Sequence, residues 1–115
     1  MQRYQVLMDK EMFDKVCELV NKKGKDIATI IAGHIDNIDD RQVIDTEDRT
    51  YDPKLKYMIW FKAPQGLSDK IERLAIKYNK SKASIVRRII RIILEKEAQE
   101  GTSEMKGEVR KITKL

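Results

Sequence analysis

The apolar positions of this chain form two kinds of periodic signature, and both occur twice in the same order. Over residues 3–8, Arg-Tyr-Gln-Val-Leu-Met, sheet-forming side chains mix with polar ones at alternating positions, which predicts a short half-buried strand. Asp9 ends it and can cap the helix after it. From Lys10 to Lys23, Met12, Phe13, Val16, Leu19 and Val20 recur at spacings of three and four, predicting a helix with one buried face. Gly24 stops that helix. Asp26 can cap a second one, whose buried face carries Ile27, Ile30, Ile31, Ile35 and Ile38 and which fades near Asp39-Asp40. Residues 39–55 are acidic and hold no sustained period, so they read as a connector with Val43-Ile44 as a local anchor. A denser strand comes next at Tyr57-Met58-Ile59-Trp60-Phe61-Lys62 and ends before Pro64, whose missing N–H suits a helix start. A helix from about Gln65 to Tyr78 turns Leu67, Ile71, Leu74, Ala75 and Tyr78 inward, and Asn79 supplies a left-handed turn. Ser81 then caps a long helix, Lys82 to about Gln99, with Ile85, Val86, Ile89, Ile90, Ile93 and Leu94 inward. Beyond Gly101 the chain turns polar and reads as a mobile tail.

Pairing each residue with the one 55 positions later aligns these signatures without a gap: Tyr4 with Ile59, Val6 with Phe61, Met12 with Leu67, Ile30 with Ile85, Ile35 with Ile90. Gly24 falls on Asn79 and Asp26 on Ser81. Two copies are too few for a solenoid and each is too short to bury a core alone. A lone strand would also leave its backbone donors and acceptors unmet. The copies must therefore cover each other or a partner, and a pseudo-twofold pair is the natural reading.

Charge separates the copies. Residues 1–55 hold 9 Lys and Arg against 12 Asp and Glu; residues 56–100 hold 11 against 5, and residues 101–115 hold 4 against 2. The net charge of +5 suits a polyanionic partner, and its basic character sits in the second copy and the tail. A single cysteine, Cys17, leaves no intrachain disulfide or multi-thiolate metal site and fits an intracellular location. No stretch reaches the roughly 20 apolar residues of a membrane span, and no signal-peptide core is present at the N-terminus. His34, the one histidine, falls opposite Ile89 in the repeat and so takes a structural position. No nucleophile motif, metal spacing or glycine-rich phosphate loop is present, so neither an enzyme nor a cofactor is expected.

The run from Tyr57 to Glu95 resembles the ribbon-helix-helix family of DNA-binding proteins: an alternating strand ending at Pro64, a helix ending at Asn79, then Lys80-Ser81-Lys82-Ala83-Ser84-Ile85-Val86-Arg87 opening a second helix. Tyr4 to Asp36 matches the same pattern more loosely. The resemblance implies a mainly α fold in which two short strands form one antiparallel ribbon, with four helices around a pseudo-twofold axis and the ribbon seated in the major groove. Two copies in one chain is a less usual arrangement in that family. The expected divisions are a first repeat at 1–38, an acidic connector at 39–55, a second repeat at 56–100 and a basic flexible tail at 101–115. The implied function is sequence-specific binding of double-stranded DNA as a transcriptional regulator, repressor or activator. An antitoxin-like protein whose tail binds a protein partner, and an architectural protein without site preference, are the alternatives.

Alternation along the strands leaves Arg3, Gln5 and Leu7 outward in the first copy and Met58, Trp60 and Lys62 in the second. Arginine suits guanine, glutamine suits adenine, and an apolar side chain can meet the thymine methyl, so these six are the candidate base readers, with Arg3, Gln5 and Lys62 foremost. Solvated strand charge is the bland reading of Arg3 and Lys62. Leu7, Met58 and Trp60 depart from the family's mostly polar outward face, and contact with thymine methyls or sugars stands beside coverage by the tail or another protomer. The helix starts at Lys25-Asp26 and Lys80-Ser81-Lys82 are candidate phosphate sites, because unpaired N–H groups and the helix dipole favour anions there; simple capping is the competing role, and the Asp26 carboxylate is the less suited. Arg87, Arg88 and Arg91 read as a solvated helix face. Ile92, outside the buried stripe, points to a homo-oligomeric contact through the Ile-rich helix or to coverage by the connector.

Overall fold

The computed structural model describes residues 2–48 and 56–114, the side chains of residues 100–114 excepted. The chain is mainly helical with one two-stranded antiparallel sheet. In order along the chain come β1 (Gln2–Met8), α1 (Lys10–Lys23), α2 (Ile27–Ile35), α3 (Asp40–Asp45), β2 (Tyr57–Ala63), α4 (Gln65–Lys77) and α5 (Lys82–Lys114). Both strands alternate between buried and outward positions: Tyr4, Val6, Met8, Phe61 and Ala63 are buried, and Ile59 is half-buried.

Local chemistry sets the helix ends. The Asp9 carboxylate accepts the Met12 N–H at 2.8 Å, satisfying one of the orphan donors at the start of α1. Gly24 ends α1 at a φ of 64°, and its N–H donates to the Val20 carbonyl at 2.9 Å. Asn79 does the corresponding work after α4 at a φ of 53°, one of the few non-glycine residues that tolerates the left-handed region. Pro64 precedes α4 with its ring-fixed φ of −62° and has no N–H to leave unpaired.

The ribbon comes from one chain. β1 pairs with β2 from Gln2 opposite Ala63 to Met8 opposite Tyr57, and at its centre Gln5 faces Trp60, its own counterpart 55 residues on. Packing is crosswise: α1 and α2 lie against β2, whereas α5 lies against β1. Neither half therefore closes without the other. α5 also contacts each of the other four helices, and its Ile85, Val86, Ile89, Ile90, Ile92 and Ile93 form the centre of the core.

Three expectations are corrected. The described residues hold five helices rather than four, because part of the connector folds as α3 and sinks Val43 fully into the core. The remainder of the connector, residues 49–55, lies outside the described residues. Second, α5 continues to Lys114 where an end near Gln99 was expected. Residues 102–114 contain no proline, and the isolated Gly101 and Gly107 each cost only about 1 kcal/mol against alanine. Third, Ile92 is buried within this chain, so it offers no free apolar surface for self-association. A helix apolar on several sides is covered on several sides, here by α3 among others.

Candidate nucleic-acid interface

The outward face of the ribbon gathers all six candidate readers. The strand register sets them directly opposite one another as Arg3 and Lys62, Gln5 and Trp60, Leu7 and Met58. None of the six is buried; Trp60 is 61% exposed, Met58 51% and Leu7 43%. The Arg3 guanidinium lies over the Trp60 ring at 5.1 Å from its centroid, a cation–π contact that restricts where the arginine can point. Next to Met58, Tyr57 is partly exposed and its ring meets Phe13 of α1 at 5.2 Å. The face thus grades along its length from two cations at one end to two apolar side chains at the other. Like charges directly opposite on a ladder repel, so the Arg3 and Lys62 end gains from any electron-rich group brought against it.

The two helix starts differ in chemistry. At α2, Asp26 accepts the Thr29 N–H at 2.8 Å; hydrogen bonds from the Thr29 side chain and then its backbone hold this carboxyl below the usual carboxylate range. A fixed negative charge therefore already occupies that helix end, and the exposed Lys25 beside it is the basic residue of the pair. At α5, the neutral Ser81 hydroxyl accepts the Ser84 N–H at 3.0 Å. Lys80 is exposed, and the Lys82 ammonium lies 3.3 Å from Glu72 of α4, which shares its charge. The start of α5 is the more electropositive of the two.

The arginines of α5 are not a solvated face. Arg87 is buried; its Nε donates to Asp48 at 2.8 Å, its Nη2 to the same carboxylate at 3.2 Å, and its Nη1 to the Leu7 carbonyl at 3.0 Å. Arg88 donates to the Ile44 carbonyl at 2.9 Å and to the Thr46 carbonyl, and Arg91 to the Glu47 carbonyl at 3.2 Å. These side chains strap the connector onto α5, and Arg87 also ties that strap to the backbone of a candidate reader. The visible signal in the sequence was three arginines within five positions of one helix and an acidic stretch with no periodicity of its own.

Other chemically notable groups have structural partners. The buried Glu97 carboxylate accepts from the Lys23 ammonium at 3.2 Å and lies 3.3 Å from His34 Nε2, which joins α1, α2 and α5. Cys17 is a free, exposed thiol. A cleft of about 460 Å³ between α1 and α5 has Met12, Leu19 and Leu94 among its lining, with charges of both signs around them. Among the described residues no cluster of His, Cys, Asp and Glu is arranged to hold a metal ion, and no helix is long and apolar enough to cross a membrane. No family model, curated protein or solved structure matches the chain.

Proposed function

We propose that this chain is a sequence-specific duplex-DNA-binding transcriptional regulator of ribbon-helix-helix type, its two repeats related by a pseudo-twofold axis through the pair Gln5 and Trp60. The observation that carries the reading is the ribbon face: six solvent-accessible side chains from two strands of one chain, in three opposed pairs, on a sheet whose other face is core. A major groove about 12 Å wide admits a two-stranded ribbon, and base edges there present a readable pattern of donors, acceptors and methyl groups. Arg3, Gln5 and Lys62 are the polar readers. Lys80, Ser81 and Lys82 at the start of α5 grip a flanking phosphate, with Lys25 in the lesser role at the other repeat because Asp26 opposes an anion.

Selection of a duplex from a random pool by the full chain, followed by affinity for the selected and scrambled sequences across salt concentrations, tests the proposal. Enrichment of one site and a clear preference for it are expected; equal affinities governed by salt alone would leave only an architectural role. Within that site, Arg3→Ala or Gln5→Ala relaxes discrimination at one base position by about 1–3 kcal/mol. A loss uniform over all sequences would reassign the side chain to a phosphate. The exposure of Trp60 and Met58 favours a second reading, a protein partner docked on the same face. That reading gains if no duplex is enriched and the protein forms a larger assembly that Trp60→Ala dissolves.

A further inference from the structure

We infer that the ribbon recognises a short polar-to-apolar site that is not a palindrome: a guanine at the Arg3 and Lys62 end, and a thymine, read through its methyl group, about four base pairs away at the Leu7 and Met58 end. The inference rests on the DNA-binding function proposed for this ribbon and adds the order and chemistry of the bases.

The repeat offset and the strand register share a centre, since Gln5 faces Trp60 and also corresponds to it. Rotation about that centre carries Arg3 onto Met58 and Lys62 onto Leu7. A symmetric ribbon would present the same chemistry at both ends. Here the rotation superposes a cationic pair on an apolar pair, so two identical half-sites cannot both be satisfied.

At the first end, two side chains that only donate hydrogen bonds stand opposite each other. Guanine, with O6 and N7 both accepting, is the base edge that answers two donors. Trp60 is a positioning residue here: its ring lies under the Arg3 guanidinium and holds it along the ribbon. At the second end, Leu7 and Met58 are 43% and 51% exposed and have no polar side-chain group to offer a base other than a weakly accepting thioether. Contact with a polar base edge would strip water from it without replacing its hydrogen bonds. The thymine C5-methyl is the one major-groove feature that gains from apolar contact. The two ends lie four residues apart along each strand, about 13 Å at roughly 3.3 Å per residue, which is about four base-pair steps at 3.4 Å each.

The test uses the full chain and chemically modified duplexes. After selection from a random pool, each thymine of the enriched site is replaced, one at a time, by uracil, which removes only the 5-methyl group. A non-palindromic site is expected, with one or two uracil positions weakening binding by about three- to fivefold, the weight of one methyl group taken out of water. Those positions should lie about four base pairs from the guanine whose discrimination Arg3→Lys alters. In the Leu7→Ala, Met58→Ala double variant the uracil penalty should vanish while the salt dependence stays. The uracil series on the unaltered protein stands alone should that variant fail to fold. A palindromic consensus, or uracil that is neutral at every position while specific binding persists, overturns this inference and leaves the regulator reading intact. Absence of any sequence-specific binding overturns both.

Discussion

The second helices of the two repeats, α2 and α5, carry the same apolar register and different polar faces. Ile30 and Ile85, Ile31 and Val86, Ile35 and Ile90 correspond across the 55-residue offset, and all six are buried. Yet where α5 has Arg87, Arg88 and Arg91, the first copy has Ala32 and Gly33 in α2 and Asp36 just past its end. α2 spans nine residues and α5 thirty-three. The end of α2 is held from the other repeat: the Lys70 ammonium donates to the Ile35 and Ile38 carbonyls, each at 2.9 Å, satisfying acceptors that a longer helix would have used itself. The α5 arginines instead reach the connector carbonyls and Asp48. Corresponding positions facing the shared core are apolar in both copies because both fill one interior. Positions facing elsewhere have taken separate tasks, ending one helix and strapping a loop to the other.

Breaking the strap should cost most. Arg87→Ala leaves the Asp48 carboxylate, 2% exposed in its side chain, without its bidentate guanidinium, and should destabilise the fold by about 3–5 kcal/mol in urea titration. The paired change Arg87→Met with Asp48→Leu should recover part of that loss, since an apolar pair has no charge to desolvate, while the Leu7 carbonyl loses its Arg87 donor in both variants. A single-variant cost under about 1 kcal/mol would mean that the strap does not hold the connector. The helix-ending lysine comes next. Lys70→Met removes a charged donor from two carbonyls and should cost about 1.5–3 kcal/mol. Its counterpart Lys15, whose ammonium meets the exposed Glu11 one turn away, should cost no more than about 0.5 kcal/mol on the same change. Equal costs would erase the contrast between the repeats.

A further small effect is acid-dependent. A hydrogen bond from Arg73 of α4 holds the Asp40 carboxyl below the ordinary carboxylate range, against the opposing effect of burial, with contacts at 2.7 and 3.3 Å. A depressed carboxyl stabilises the fold at pH values above its unfolded pKa, and that contribution is lost as pH falls through the folded value. Wild type should therefore exceed Asp40→Asn slightly near neutral pH, by less than about 1 kcal/mol because the pair is partly exposed. The two should converge once the pH has fallen through the depressed folded value, below the ordinary aspartate pKa. A difference that persisted there would assign the effect to packing of α3 rather than to charge.

Strand and helix positions were legible because period two and period 3.6 report directly which face is buried, and Asp9, Gly24, Pro64, Asn79 and Ser81 mark the boundaries chemically. The outward face of the ribbon came from the same alternation, since a side chain's face on a strand depends only on its parity. Features that escaped depended on contacts distant in sequence. Val43 and Ile44 are too short a run to show a helical period, and α3 exists because α5 covers it. Arg87 carries a charge that any surface helix could bear; its burial is due to Asp48, 39 residues earlier. Lys70 likewise gives no local hint that it serves carbonyls of the first repeat.

Because β1 and β2 belong to one chain, assembly of the ribbon carries no concentration term. A two-chain ribbon dissociates on dilution by mass action, and its occupancy of any target falls with the square of the monomer concentration once monomers prevail. Here β1 and β2 are joined covalently through the helices between them, so each strand meets its partner within one molecule whatever the dilution. A few copies per cell would each present a complete ribbon, and exchange of subunits between molecules would never be needed to form one.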